Sequence, residues 1–162
     1  MIFSNIEEFR KKFENKGRLL GLDIGDKTIG IAISDPDWKI ASAIETIQRS
    51  QWKKDGAYLL ELAAGRQAEA LVVGWPLNMD GSEGKRCQST RHIVHNILKL
   101  KDFPILLWDE RLSSWAVDQM MIDADISRKK RAQSIDKLAA AYILQGALDR
   151  LTALAFIGLP PE

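Results

Sequence analysis

The apolar positions of this chain fall into short blocks whose period switches between two and three to four. Residues 18–24 are apolar on both faces, Leu19-Leu20-Gly21-Leu22 running into Asp23, which marks a central strand covered on both sides. Gly25-Asp26-Lys27 follows as a glycine turn. Alternation then resumes, so a second strand near 28–34 is predicted to pair with the first. A third strand is predicted at 40–47. A helix follows at 52–64, with Leu59, Leu62 and Ala63 facing inward. Residues 70–74 form a short buried strand that opens into the polar, glycine-rich loop 75–84. A helix at 85–100 and a fifth strand at 104–108 come next, the strand running into Asp109-Glu110-Arg111. Residues 114–122 suggest another helix, and Arg128-Lys129-Lys130-Arg131 a basic loop. The last helix is expected to open near Ser134 as N-cap, with Ile135, Leu138, Ala139, Tyr142 and Ile143 as its apolar stripe. At the other end, Ile6, Phe9 and Phe13 predict a short amphipathic helix within 5–15.

Three strands in hairpin order, then strands alternating with helices, predict an α/β fold: a five-stranded mixed sheet flanked by helices. The 162 residues suit a single domain over 1–162, with 1–16 as an N-terminal helical extension. Hydrophobic residues make up 46%, as in an ordinary globular protein. The single Cys87 excludes an internal disulfide and a cysteine-built zinc site, which fits a cytoplasmic location. Neither a signal peptide nor a membrane span is expected. The net charge is only +1, so any case for nucleic acid must rest on local patches.

Sites of such sheets lie at strand ends, and there the carboxylates gather. Asp23 shares a strand face with Leu19 and Gly21, and Gly21 leaves room beside it. Asp109 and Glu110 point to opposite faces if their strand persists, so one of them can join Asp23. Glu110 has the longer reach, although a kink could reverse the choice. Asp136 is flanked on its helix by Ala139 and Ala140, small residues that would let that end lie close to the sheet. Asp23, Glu110 and Asp136 are thus a candidate cluster. Three acids repel unless a cation joins them, and Mg²⁺ suits an all-oxygen site completed by substrate phosphate. Two such ions would serve phosphodiester cleavage. Taken singly, each acid has a plainer role. Asp23 could cap the turn, Asp136 could match the helix dipole, and Glu110 could pair with Arg111 or Lys101.

Four segments together resemble the YqgF (RuvX) family. They are Leu22–Lys27 with Ile29–Asp35, Gly74–Gly84, Asp109–Ser114, and Asp136–Ala141 with Ile143–Gln145, in the expected order. The resemblance implies an RNase H-like fold related to Holliday-junction resolvases of the RuvC type. It implies a cytoplasmic, metal-dependent nuclease using Mg²⁺ or Mn²⁺ that matures the 5′ end of pre-16S ribosomal RNA. Asp23, Glu110 and Asp136 stand where the family's active-site acids stand. Thr28 departs from an arginine, Trp75 from a leucine, and Ser113-Ser114 from paired threonines. With Thr28 in place, Lys27 and backbone amides are left to meet phosphate at the turn.

The candidate phosphate contacts are Lys27, Arg111 and Arg128-Lys129-Lys130-Arg131, with Asn78 and Lys85 on the long loop that could wall the cleft. Cations of this kind bind backbone without reading sequence. Trp75 could stack on an unpaired base but is better explained by packing. His92 and His95 share a helix face without a third ligand, and Trp38, Trp52 and Trp115 suit packing. The expected partner is structured RNA, with ribosomal components beside it. Four-way DNA junctions are the alternative substrate. A nucleotide-binding module and a non-catalytic RNA-binding assembly factor are the other readings.

Overall fold

The computed structural model describes the backbone of residues 1–112 and 128–157, and the side chains of 1–111 and 137–154. The described elements are β1 (Ile2–Phe3), α1 (Ile6–Lys12), β2 (Arg18–Ile24), β3 (Thr28–Ser34), β4 (Ala41–Gln48), α2 (Trp52–Gly65), β5 (Ala68–Trp75), α3 (Lys85–Leu100), β6 (Ile105–Asp109), a 3₁₀ turn (Glu110–Leu112) and α4 (Arg128–Ile157). The helix expected at 114–122, with Trp115, lies outside the described residues.

The strands form one sheet in the order β1-β6-β5-β2-β3-β4. β2, β3 and β4 are an antiparallel meander, while β5 and β6 join parallel to β2. β2 is therefore central, as its two-sided apolar pattern requires. The sheet has six strands rather than the five expected. Ile2-Phe3 adds an edge strand parallel to β6, with Ile2 opposite Ile105. Two apolar residues carry too little periodicity to be read as a strand. The N-terminal segment is thus strand as well as helix. Its helix, Ile6–Lys12, lies within the expected 5–15 and is capped by Asn5 Oδ1, which accepts from the Glu7 and Glu8 N–H groups at 2.8 and 3.1 Å.

One face of the sheet is covered by α1 and α4, the other by α2 and α3. Leu19, Val72 and Leu106 pack with Ala140, Ile143, Leu144 and Leu148 on the first face. Leu20, Leu22, Leu71 and Ile105 pack with Leu59, Ile93 and Ile97 on the second. α4 already runs at Arg128, so Ser134 is interior to it and not its N-cap. The run Arg128–Arg131 is helical, not a loop. The buried stripe of α4 is Ala140, Ile143, Leu144, Ala147, Leu148 and Leu151, whereas Leu138, Ala139 and Tyr142 are half-buried. The sheet, and not the helix's own pattern, chooses which apolar residues turn inward.

Trp38 closes the lower end of the sheet. It is 1% exposed, and its indole N–H donates to Gly17 O at 2.6 Å. Its φ of 62° is held by Asp35, whose carboxylate accepts from the N–H groups of Asp37, Lys39 and Ile40. Among the described residues, no helix is long and apolar enough to cross a membrane.

Candidate active site

Asp23 sits between residues that have no side chains. Gly30 of β3 lies directly opposite it. The β2–β5 register ends at Leu22 opposite Val73, so one further step puts Gly74 on its other side. Gly21 lies two residues back on the same face. The half-buried carboxylate thus stands in a clearing, with its Oδ1 shielded from solvent.

The clearing admits Glu110. β6 ends at Asp109, and the 3₁₀ turn swings the next side chain across the sheet. Glu110 Oε1 and Cγ lie 3.2 and 3.3 Å from where a Cβ on Gly74 would stand, next to Ile143 of α4. The Glu110 side chain is 15% exposed, and its Oε2 lies 3.7 Å from Arg86 Nη2. Asp109 turns instead to Arg111, whose Nε and Nη2 donate to its carboxylate at 2.6–3.0 Å. That hydrogen-bonded guanidinium holds the Asp109 carboxyl below its ordinary range. Of the two neighbours, Glu110 is the one brought beside the strand of Asp23.

Asp136 belongs to the described backbone, while its side chain lies outside the described residues. Its place follows from the run of α4. Thr152 Oγ1 donates to Trp38 O at 3.5 Å, at the lower end of the sheet. Ala140 O and Leu144 Cβ lie 3.1 and 2.8 Å from where a Cβ on Gly21 would stand. α4 therefore runs antiparallel to β2, and its backbone nearly touches the strand at Gly21. One helical turn before Ala140, about 5.4 Å along the axis, is Asp136. Two residues past Gly21, about 6.6 Å along the strand, is Asp23. The two displacements run in the same direction. Among the described residues, no three Asp, Glu, His or Cys side chains gather as a metal site.

The expected phosphate contacts are dispersed around this point. Lys27 is exposed on the β2–β3 turn, and Lys85 is exposed at the start of α3. Arg111 is held by Asp109, with its Nη1 against Gly81. Asn78 organises its own loop: its Nδ2 donates to Ser82 Oγ at 3.0 Å, and its side chain packs on Gly84. Side chains of Arg128, Lys129, Lys130 and Arg131 lie outside the described residues. Trp75 is only 9% exposed, under the Arg91 guanidinium at 5.1 Å, so it packs. The loop after β5 borders a groove that neither Asp23 nor Glu110 lines. Trp75, Leu77 and Glu83 line a groove of about 530 Å³ that Asp109 also borders. His92 and His95 are exposed, and Cys87 is buried with its thiol donating to Pro76 O.

Two cations carry no mark of their roles in the sequence. Arg86 faces Glu110, and its only signal is its place beside Lys85 at a helix start. Arg49 reaches the β2–β3 turn from the end of β4, where it donates to Gly25 O at 2.7 Å. Nothing in the chain around it points to that hydrogen bond.

The family model for RuvX, described as Holliday junction resolvase, matches residues 17–150. A Bradyrhizobium sp. (strain ORS 278) protein named "Putative pre-16S rRNA nuclease" is 55% identical over 143 residues, 88% of this chain and 89% of its own. A relative of the same name from Rhodopseudomonas palustris (strain HaA2) is 58% identical over 139 residues, 86% and 87% of the two chains. Among solved structures, T. thermophilus RuvC in complex with Holliday junction substrate superposes with a TM-score of 0.54. It is 16% identical, over 85% of this chain and 96% of that one, and the likeness is one of RNase H-like fold. The match spans Asp23, Glu110 and Asp136 together with the sheet and helix that carry them, and the chain belongs to the RuvX family.

Proposed function

We propose that this protein is a metal-dependent nuclease that hydrolyses phosphodiester bonds, with the 5′ region of pre-16S ribosomal RNA as its substrate in the cytoplasm. The observation that carries the reading is Glu110 laid over Gly74 beside Asp23. Two carboxylates are carried on one face of the sheet, and an oxygen of one is closed to solvent. That donor set suits a hard cation. Asp23 and Glu110, with Asp136 from α4, would hold Mg²⁺ or Mn²⁺. The metal would supply charge stabilisation at the phosphate and a more acidic water.

The chain's own residues do the rest. Gly74 leaves the space that Glu110 fills, and Gly21 lets α4 approach β2. Arg86 offsets the charge of Glu110 and stands at the rim, where a phosphate would enter. Lys27 and Lys85 are free to meet backbone on either side of the acids. Asp109 holds Arg111 and through it the loop after β5. The names of the close relatives support pre-16S RNA as substrate. The family description favours a second substrate, four-way DNA junctions. Ribosomal components would be the partners if cleavage occurs on assembling subunits.

The test is cleavage of a pre-16S 5′-leader RNA and of a four-way DNA junction, with Mn²⁺ and with EDTA, by the protein and its Asp23→Asn variant. The expected result is metal-dependent RNA cleavage that the variant loses while keeping RNA binding. Equal activity in both proteins defeats the mechanism. Cleavage of junctions alone defeats the substrate.

A further inference from the structure

The β2–β3 turn carries a cation that the acids do not use. Arg49 follows β4 directly, and its Nη1 donates to the carbonyl oxygens of Gly25 at 2.7 Å and Asp26 at 3.4 Å. Its backbone N–H donates to Lys27 O at 2.8 Å. The residue is thus tied by backbone and side chain to the turn that begins two residues after Asp23. Asp26 contributes a carbonyl to this arrangement, not its carboxylate. Among the described residues, no carboxylate forms an ion pair with Arg49. The nearest acid in the following helix, Asp55, is engaged elsewhere. It is 6% exposed and accepts from Ser50 N at 2.8 Å and Ser50 Oγ at 2.9 Å. Those bonds brace the corner between β4 and α2. On that braced corner Lys53 and Lys54 are exposed, and Lys27 is exposed on the adjoining turn.

A guanidinium anchored at one nitrogen has already lost much of its rotamer freedom, so binding an anion costs it less. Its planar fork still offers donors of the kind that match phosphate oxygens. We propose that this corner is a phosphate-binding edge of the site. Arg49 grips a backbone phosphate of the nucleic-acid strand beside Asp23, and Lys27, Lys53 and Lys54 carry that strand onward past α2. The proposal rests on the nuclease reading for the presence of the strand, but it concerns binding and not cleavage.

The experiment is fluorescence anisotropy of a labelled pre-16S 5′-leader RNA, titrated in EDTA at several salt concentrations. Removing a side chain that pairs with one phosphate lowers the slope of log K against log salt by about 1. Arg49→Gln should lower the slope by about 1 and a Lys53→Gln/Lys54→Gln double variant by about 2. A Lys11→Gln/Lys12→Gln variant on α1 removes equal charge elsewhere and should leave the slope unchanged. A slope unchanged in folded Arg49→Gln overturns the proposal. If Arg49→Gln does not fold, the exposed lysine pair decides: a lowered slope supports the corner, and an unchanged one overturns it. No metal is present, so a protein that never cleaves RNA defeats the nuclease reading without altering these slopes. An unchanged slope defeats the role of Arg49 whatever the protein cleaves.

Discussion

Glu110 occupies the space that Gly74 leaves empty, its Oε1 3.2 Å from the point where a Gly74 side chain would begin. One methyl group is therefore enough to test the pairing of Glu110 with Asp23. In Gly74→Ala the new carbon would meet Ile143 Cδ1 at 2.7 Å as well as Glu110. Overpacking of this kind costs about 1–3 kcal/mol. The expected outcome is a lower urea midpoint and weaker Mn²⁺ binding by isothermal titration. Full Mn²⁺ affinity in the folded variant would remove Glu110 from the metal site.

The neighbours Asp109 and Glu110 should separate cleanly. Glu110→Gln is expected to lose Mn²⁺ binding and cleavage with little change in stability, since among the described residues its one ion pair is the loose one with Arg86, at 3.7 Å. Asp109→Asn should keep Mn²⁺ binding. It frees Arg111, but the pair is solvent-exposed, so the urea midpoint should fall only slightly. The reverse pattern would assign the metal to Asp109.

Gly21 is where α4 meets β2 most closely. Gly21→Ala sets a carbon 2.8 Å from Leu144 Cβ and 3.1 Å from Ala140 O, and the helix backbone must retreat. Because Asp136 rides one turn away on that helix, cleavage should fall more than global stability does. Parallel measurements of kcat and urea midpoint check this. Loss of stability with kcat intact would mean that α4 is only a cover for the sheet.

Asp35 makes acid stability depend on one turn. Burial pushes its carboxyl up, but the N–H groups of Ile40, Lys39 and Asp37 outweigh this and hold it below its ordinary 3.8. A carboxyl depressed in the folded state contributes its full stability above 3.8, and loses it as the pH falls through the lower folded value. Asp35→Asn should therefore flatten the decline of the urea midpoint below pH 3.8. Parallel curves for the two proteins would contradict the assignment.

Trp75 is 9% exposed beneath Arg91, so its loss should be felt in the fold. Trp75→Ala is expected to cost about 3–5 kcal/mol in urea unfolding. A small change in stability with a large loss of RNA affinity would make it a stacking platform instead.

Local pattern alone made the strands at 18–24 and 28–34 and the helix at 85–100 legible, because each buries a face with its own period. It also placed carboxylates at strand ends and, through four spaced motifs, identified the family. It failed where neighbours decide. Ile2-Phe3 is a strand only because β6 offers an edge to pair with. The run from Arg128 is helical although its charges read as a loop, since charged residues with long straight side chains continue a helix readily. Whether Asp109 or Glu110 turned inward depended on where β6 ended and on the empty face of Gly74. Arg49 and Arg86 reach their partners across 24 positions of the chain in each case, from Gly25 to Arg49 and from Arg86 to Glu110. Periodicity reports what a segment does with its own faces. Only the packed sheet and helices determine which distant side chains share a space.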